Sequence, residues 1–126
     1  MFGADAVAVA FVNVSDRAAG LAFYRDVLGL ELVASDDFGD FFRLGAARLR
    51  MTMIADHKGN GFPVFGWQVG DIAATARALA AKGVALTVYP GMGQDELGIW
   101  AAPDGGAKVA WFNDPDGNCL SLNQVG

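Results

Sequence analysis

One pattern occurs twice, about 55 residues apart, and it limits the folds open to this chain more than any other feature of the sequence. Val14-Ser15-Asp16 closes a β-branched run and opens a helical stripe that stops at Gly29, and Val69-Gly70-Asp71 closes a second run and opens a stripe that stops at Gly83. An Asp ahead of each stripe fits an N-cap, because its carboxylate can accept the unpaired N–H groups of the first helical turn. A glycine just past the end fits the left-handed residue that stops a helix. Strand, cap, helix and stop recurring at a fixed offset imply duplication of one supersecondary unit.

In chain order, residues 7–14 read as a strand and 18–28 as a helix with Ala19, Phe23 and Val27 on one stripe. Residues 30–34, 41–44 and 48–54 read as three further strands, separated by turns rich in Asp and Gly. Residues 56–61 are polar and glycine-rich and read as a linker. The second copy runs as a strand at 64–69, an alanine-rich helix at 72–82 with Ile72, Ala76 and Leu79 inward, and a strand at 84–89. Extra material follows: a loop at 90–98 whose Pro90-Gly91-Met92-Gly93 composition suggests mobility, a short strand within 97–101, and a hairpin turn at Pro103-Asp104-Gly105-Gly106. Residues 108–113 then lead through the turn Asp114-Pro115-Asp116-Gly117-Asn118 into a last strand, where Leu120 and Leu122 alternate with Cys119, Ser121 and Asn123. The expected fold is α+β, a single domain of two βαβββ modules at about 6–55 and 63–124, joined by a linker at 56–62.

A chain of 126 residues suits one domain, and 53% apolar against 18% charged residues is the balance of a globular protein. A net charge of −5 argues against nucleic acid or an anionic membrane surface as the main partner, since both require a basic face. The apolar start at 6–12 has no basic segment before it and soon reaches Asn13 and Asp16, which reads as a strand and not a signal peptide. No stretch nears the roughly 20 apolar residues of a membrane span, so a cytoplasmic protein is expected. A single cysteine, Cys119, permits no disulfide within the chain.

Two stretches resemble the signatures of the glyoxalase/bleomycin-resistance/extradiol dioxygenase group, the vicinal oxygen chelate superfamily. They are Val14-Ser15-Asp16 with Ala22-Phe23-Tyr24-Arg25-Asp26-Val27-Leu28-Gly29-Leu30, and Phe112-Asn113-Asp114-Pro115-Asp116-Gly117-Asn118 with Leu120-Ser121-Leu122. The resemblance implies paired modules whose strands curl into a cupped, incomplete mixed β-barrel with the helices outside, a homodimer, and a ligand held in the cup. It also implies positions for a divalent metal on the cup-facing strands, which fall here on Val9, on Val64, on Ser121 and near Arg50 or Thr52. Valine has no lone pair to give, a neutral serine hydroxyl binds a divalent cation poorly, and arginine repels one. The single histidine, His57, lies in the linker, so a two-His-one-carboxylate iron site cannot form within one chain. No metal and no other cofactor is expected.

If Val9 faces the cup, alternation brings Phe11 and Asn13 to the same side, and from Val64 it brings Gly66 and Gln68. Arg50 carries Arg48 and Thr52 with it, and Ser121 carries Cys119 and Asn123. Gly66 would let a ligand approach the backbone, and Arg50 would pair with a carboxylate or phosphate, unless it is simply a solvated strand residue. Trp67 belongs to the helix-packed side, whereas one of Trp111 and Phe112 faces the cup or a subunit interface. Trp100, near the loop, would stack on a planar ligand or serve packing. The ligand-binding residues expected are therefore Phe11, Asn13, Arg50, Thr52, Gln68, Trp100, Trp111 and Ser121. Among carboxylates only Asp95 and Glu96 come into question as a general base, and a solvated role suits both better, so no catalytic residue is assigned. Cys119 lacks the His or helix N-terminus that would make it a nucleophile. The expected function is metal-independent binding of a small molecule, with a glyoxalase-like lyase, isomerase or dioxygenase using a displaced metal site as the alternative.

Overall fold

The computed structural model describes residues 1–126. The chain divides into two compact units, unit 1 at Met1–Lys58 and unit 2 at Gly59–Gly126.

Unit 1 holds β1 (Val9–Val14), α1 (Arg17–Leu21), a π-helical continuation (Ala22–Val27), β2 (Leu32–Ser35), β3 (Gly39–Leu44) and β4 (Ala47–Met53). Its mixed sheet has the order β1-β4-β3-β2, with β1 parallel to β4 and the rest antiparallel. The Asp16 carboxylate accepts the Ala19 N–H at 3.1 Å, the cap expected, and such caps contribute about 1 kcal/mol. α1 packs against β4, on the face where Val12, Val14, Phe42, Leu49 and Met51 are buried. Gly20 allows that approach, since a Cβ there would meet the Met51 sulfur at 2.7 Å.

The helix expected over 18–28 is α-helical only to Leu21. Beyond it the winding widens, and Leu28 N–H donates to the Phe23 carbonyl five residues back at 2.9 Å. The wider turn puts the adjacent aromatics Phe23 and Tyr24 both on the buried side, where Tyr24 also meets Phe42 at 6.2 Å between ring centroids. The apolar stripe is compatible with either winding, which is why periodicity alone reads as an α-helix.

Unit 2 holds β5 (Pro63–Gln68), α2 (Ile72–Ala81), β6 (Trp100–Ala101), β7 (Ala107–Asn113) and β8 (Cys119–Val125). Its sheet has the order β5-β8-β7-β6, again with the first pair parallel and the others antiparallel. Asp71 caps α2 by accepting the Ala74 N–H at 3.0 Å. Ile72, Ala76 and Leu79 are buried on α2, and Ala110, Phe112, Leu120 and Leu122 are buried on the strands it packs against. Trp67 stacks on Phe112 at 6.2 Å and an angle of 17°, on the helix-packed side as expected.

The turn at Asp114 is held from within. One Asp114 oxygen accepts the N–H groups of Asp116 and Asn118, both at 2.9 Å, and the other accepts the Asn118 side-chain amide at 2.7 Å. The carboxylate is buried, and its turn is what returns β7 into β8 antiparallel.

Two expectations for unit 2 are corrected. Residues 84–89 form no strand: the Thr87 N–H reaches the Trp111 carbonyl at 2.7 Å, on the stretch of β7 that the two-residue β6 leaves uncovered, but no ladder follows. The loop after Pro90 is stitched down. Gln94 donates its amide to the carbonyls of Thr87 and Gly98 at 2.9 and 2.8 Å and accepts the Tyr89 N–H at 2.7 Å. Asp95 accepts the N–H groups of Leu97 and Ile99, both at 2.9 Å, so one of the two carboxylates considered as a base is a loop clamp.

Candidate functional site

In unit 1 the face turned away from α1 is set by register. Val9 pairs with Arg48 and Arg48 with Arg43; Phe11 pairs with Arg50 and Arg50 with Phe41; Asn13 pairs with Thr52 and Thr52 with Gly39. Cross-strand partners point to the same side, so these are three rows of one surface. The candidates Phe11, Asn13, Arg50 and Thr52 therefore lie together, next to Val9. Phe11 is 67% exposed on it, a large apolar side chain without cover in this chain.

Arg50 is the most constrained residue of this face. Its guanidinium lies 4.5 Å from the centroid of the Phe41 ring, and its side chain is only 12% exposed. Two of its nitrogens donate to the two oxygens of Asp36, each at 3.1 Å, a bidentate pair. The Arg50 hydrogen bonds, with the N–H groups of Phe38 and Gly39, hold the Asp36 carboxyl below the usual carboxylate range. The anion beside Arg50 is thus supplied by the chain itself, from a turn that carries no mark of this role in the sequence.

Behind this surface sits a buried ion pair. Asp40, 1% exposed, accepts from Arg17 Nε at 2.9 Å and Nη2 at 3.0 Å, and from the Ser35 hydroxyl at 2.7 Å. Burial pushes the Asp40 carboxyl up, but the Arg17 and Ser35 hydrogen bonds outweigh it and leave it below its ordinary value. The pair ties the start of α1 to β3, which fixes the strand that presents Phe41.

In unit 2, Gly66 pairs with Ser121 and Ser121 with Trp111, while Gln68 pairs with Asn123, Asn123 with Val109 and Val109 with Trp100. Gln68, Trp100, Trp111 and Ser121 thus share the face turned away from α2. Tyr89 joins them by its edge-to-face contact with Trp111 at 5.5 Å, a residue that strand patterning did not single out. Cys119 is buried on this side, and burial pushes its thiol up despite a hydrogen bond with Tyr89. Gly66 leaves no room for a ligand: a Cβ there would fall on the carbonyl and hydroxyl oxygens of Ser121, so the glycine serves strand packing.

The metal positions implied by the family resemblance carry Val9 in β1, Val64 in β5, Ser121 in β8 and Arg50 or Thr52 in β4. No group of three or more His, Cys, Asp or Glu side chains anywhere in the chain converges to hold a metal ion. These residues do not fit a divalent cation.

Two units of β-α-β-β-β type, each a mixed four-stranded sheet with a helix on one face, define an α+β fold of duplicated modules. The chain belongs to the Glyoxalase/Bleomycin resistance protein/Dioxygenase superfamily, whose family model matches residues 5–122. Among solved structures it is similar to a superfamily member from Sphaerobacter thermophilus, at 25% identity and a TM-score of 0.69, covering 94% of this chain and 96% of that one. It is similar also to a lactoylglutathione lyase from Agrobacterium tumefaciens, at 20% identity and a TM-score of 0.71, covering 97% and 95%. A genomically encoded fosfomycin resistance protein from Listeria monocytogenes shares 14% identity at a TM-score of 0.73, covering 100% and 96%. At such identities the likeness to the last two is one of fold. No curated protein sequence matches the chain. No helix is long and apolar enough to cross a membrane.

Proposed function

We propose that this protein binds a small molecule without a metal ion, in the manner of the non-enzymatic branch of its superfamily, and that it works as a cytoplasmic homodimer. The observation that carries the reading is the chemistry of the two helix-free sheet faces. Where the fold's metal ligands would stand they offer two valines and a serine, and around them they offer Phe11, Trp100 and Trp111 with a few amides and hydroxyls. Aromatic walls with sparse, oriented polar groups suit a partly aromatic or amphipathic molecule. The exposed Phe11, Val64 and Val9 are also the kind of apolar surface that a second subunit or a ligand would cover. The alternative, a lyase, isomerase or dioxygenase with a displaced metal site, draws support from the structural likeness to a lactoylglutathione lyase. It lacks a converging donor set.

Native mass spectrometry of protein purified without added metal tests the proposal. The expected result is a dimer free of stoichiometric nickel, zinc, iron or manganese, carrying or accepting a small organic ligand. One tightly held metal per chain, or turnover of a hemithioacetal or catechol, overturns it.

A further inference from the structure

We infer that the unit 1 face selects an anionic ligand: an aromatic or apolar molecule bearing one carboxylate, sulfonate or phosphate-type group, held by Arg48 and Arg50 with its apolar part on Phe11. This deepens the binding reading above and rests on it. Three arginines stand on this one face of a chain whose net charge is −5. Arg43 and Arg48 are cross-strand partners, and Arg50 follows two positions along β4. Only two carboxylates answer them. Glu31 takes Arg43 at 2.6 Å and Asp36 takes Arg50. Arg48 has no carboxylate partner; its guanidinium donates only to the carbonyl of the preceding residue, Ala47, at 3.2 Å. Like charges on adjacent positions of a sheet are unfavourable, so a half-buried surplus of one cation marks where an anion belongs.

The geometry also says how the group would sit. Asp36 occupies the Nη1 and Nη2 edge of the Arg50 guanidinium, while the Nε–H makes no hydrogen bond. The cation lies 4.5 Å from the Phe41 ring centroid and is tied to Asp36 by two hydrogen bonds, so the direction of its Nε–H edge is set. An oxyanion can bridge that edge and Arg48, and Phe11, the β1 neighbour of Arg50, is placed for the apolar remainder. Asp36 does not occupy that edge, but its negative charge offsets part of the Arg50 charge and so weakens the hold on an anionic ligand.

The test is an NMR titration of the isotopically labelled full chain with naphthalene-2-sulfonate and, separately, with uncharged 2-naphthol. The sulfonate is expected to shift the amides of Phe11, Arg48 and Arg50 and to bind at least about tenfold more tightly than the naphthol. Arg48→Gln should erase that preference. Asp36→Asn keeps the oxygen that caps Phe38 and Gly39 but removes the charge, and should tighten the sulfonate severalfold. A purely structural Asp36–Arg50 pair predicts no gain, so an unchanged or weaker affinity in Asp36→Asn overturns the inference. Equal binding of the two probes overturns it too, and leaves the binding reading standing. If neither probe moves these amides the inference falls, and the binding reading is decided by the native mass spectrum.

Discussion

Replacing Gln94 by alanine tests whether one side chain holds the long loop of unit 2. Three hydrogen bonds would be lost, to the Thr87 and Gly98 carbonyls and from the Tyr89 N–H. At about 1 kcal/mol each they total about 3 kcal/mol, from which about 1 kcal/mol returns as rotamer freedom of the released side chain. A net cost of about 2 kcal/mol corresponds to an opening of the loop about 30-fold more often. Amide hydrogen exchange reads this directly. Ile99 should exchange about 30-fold faster and Tyr89, which loses its acceptor outright, by at least as much, whereas the β7–β8 ladder should keep its protection, because the loop opens locally. Trp111 should report the same event by fluorescence, since Tyr89 rests against its ring. Gln94→Glu should be worse than alanine at neutral pH, because a carboxylate would face two carbonyl oxygens, and it should recover on acidification as it becomes a donor. Unchanged protection at Tyr89 and Ile99 in the alanine variant would refute the assignment.

Asp40 gives a pH prediction of definite sign. Its folded-state value lies below the ordinary one, so its contribution is full above about pH 4 and is lost as pH falls through the folded value. Asp40→Asn should flatten that acid limb in urea unfolding followed by circular dichroism, a better probe than fluorescence because all three tryptophans lie in unit 2. Gly66→Ala should cost about 1–3 kcal/mol by the same measurement, as the added methyl collides with Ser121; a neutral effect would mean that the strands part freely there. Cys119, buried and with its thiol pushed up, should react with a disulfide reagent at pH 8 only as fast as unit 2 opens, and rapidly in denaturant.

Local chemistry made much of this fold legible. Asp16 and Asp71 cap helices and Gly29 and Gly83 adopt positive φ, since caps and stops depend on residues adjacent in the chain. Alternation placed Phe11, Asn13, Arg50 and Thr52 on one face because a strand has a side-chain period of two. What escaped depends on partners remote in sequence or on tertiary packing. Residues 84–89 are as β-branched as a strand, but meet β7 through one N–H. Gln94 looks like any loop amide until Thr87 and Gly98 surround it, and Arg17 meets Asp40 only through a separation of 23 residues. Gly66 suggested open space, and the register shift early in β5 filled it with Ser121. At the site, the rows of β1, β4 and β3 needed the parallel register of β1, which no hairpin turn fixes, and the pairing of Asp36 with Arg50 joins residues 14 apart in the chain.

The turn at Asp114 has a bearing on how such chains are recognised. Both oxygens of that aspartate accept hydrogen bonds that shape the bend, so the bend itself serves as architecture. A genome search keyed to it would gather proteins that fold alike and act differently. Sorting them by activity would have to start from the outward residues of the strands, where a valine or an arginine in place of a histidine changes what the same bend supports.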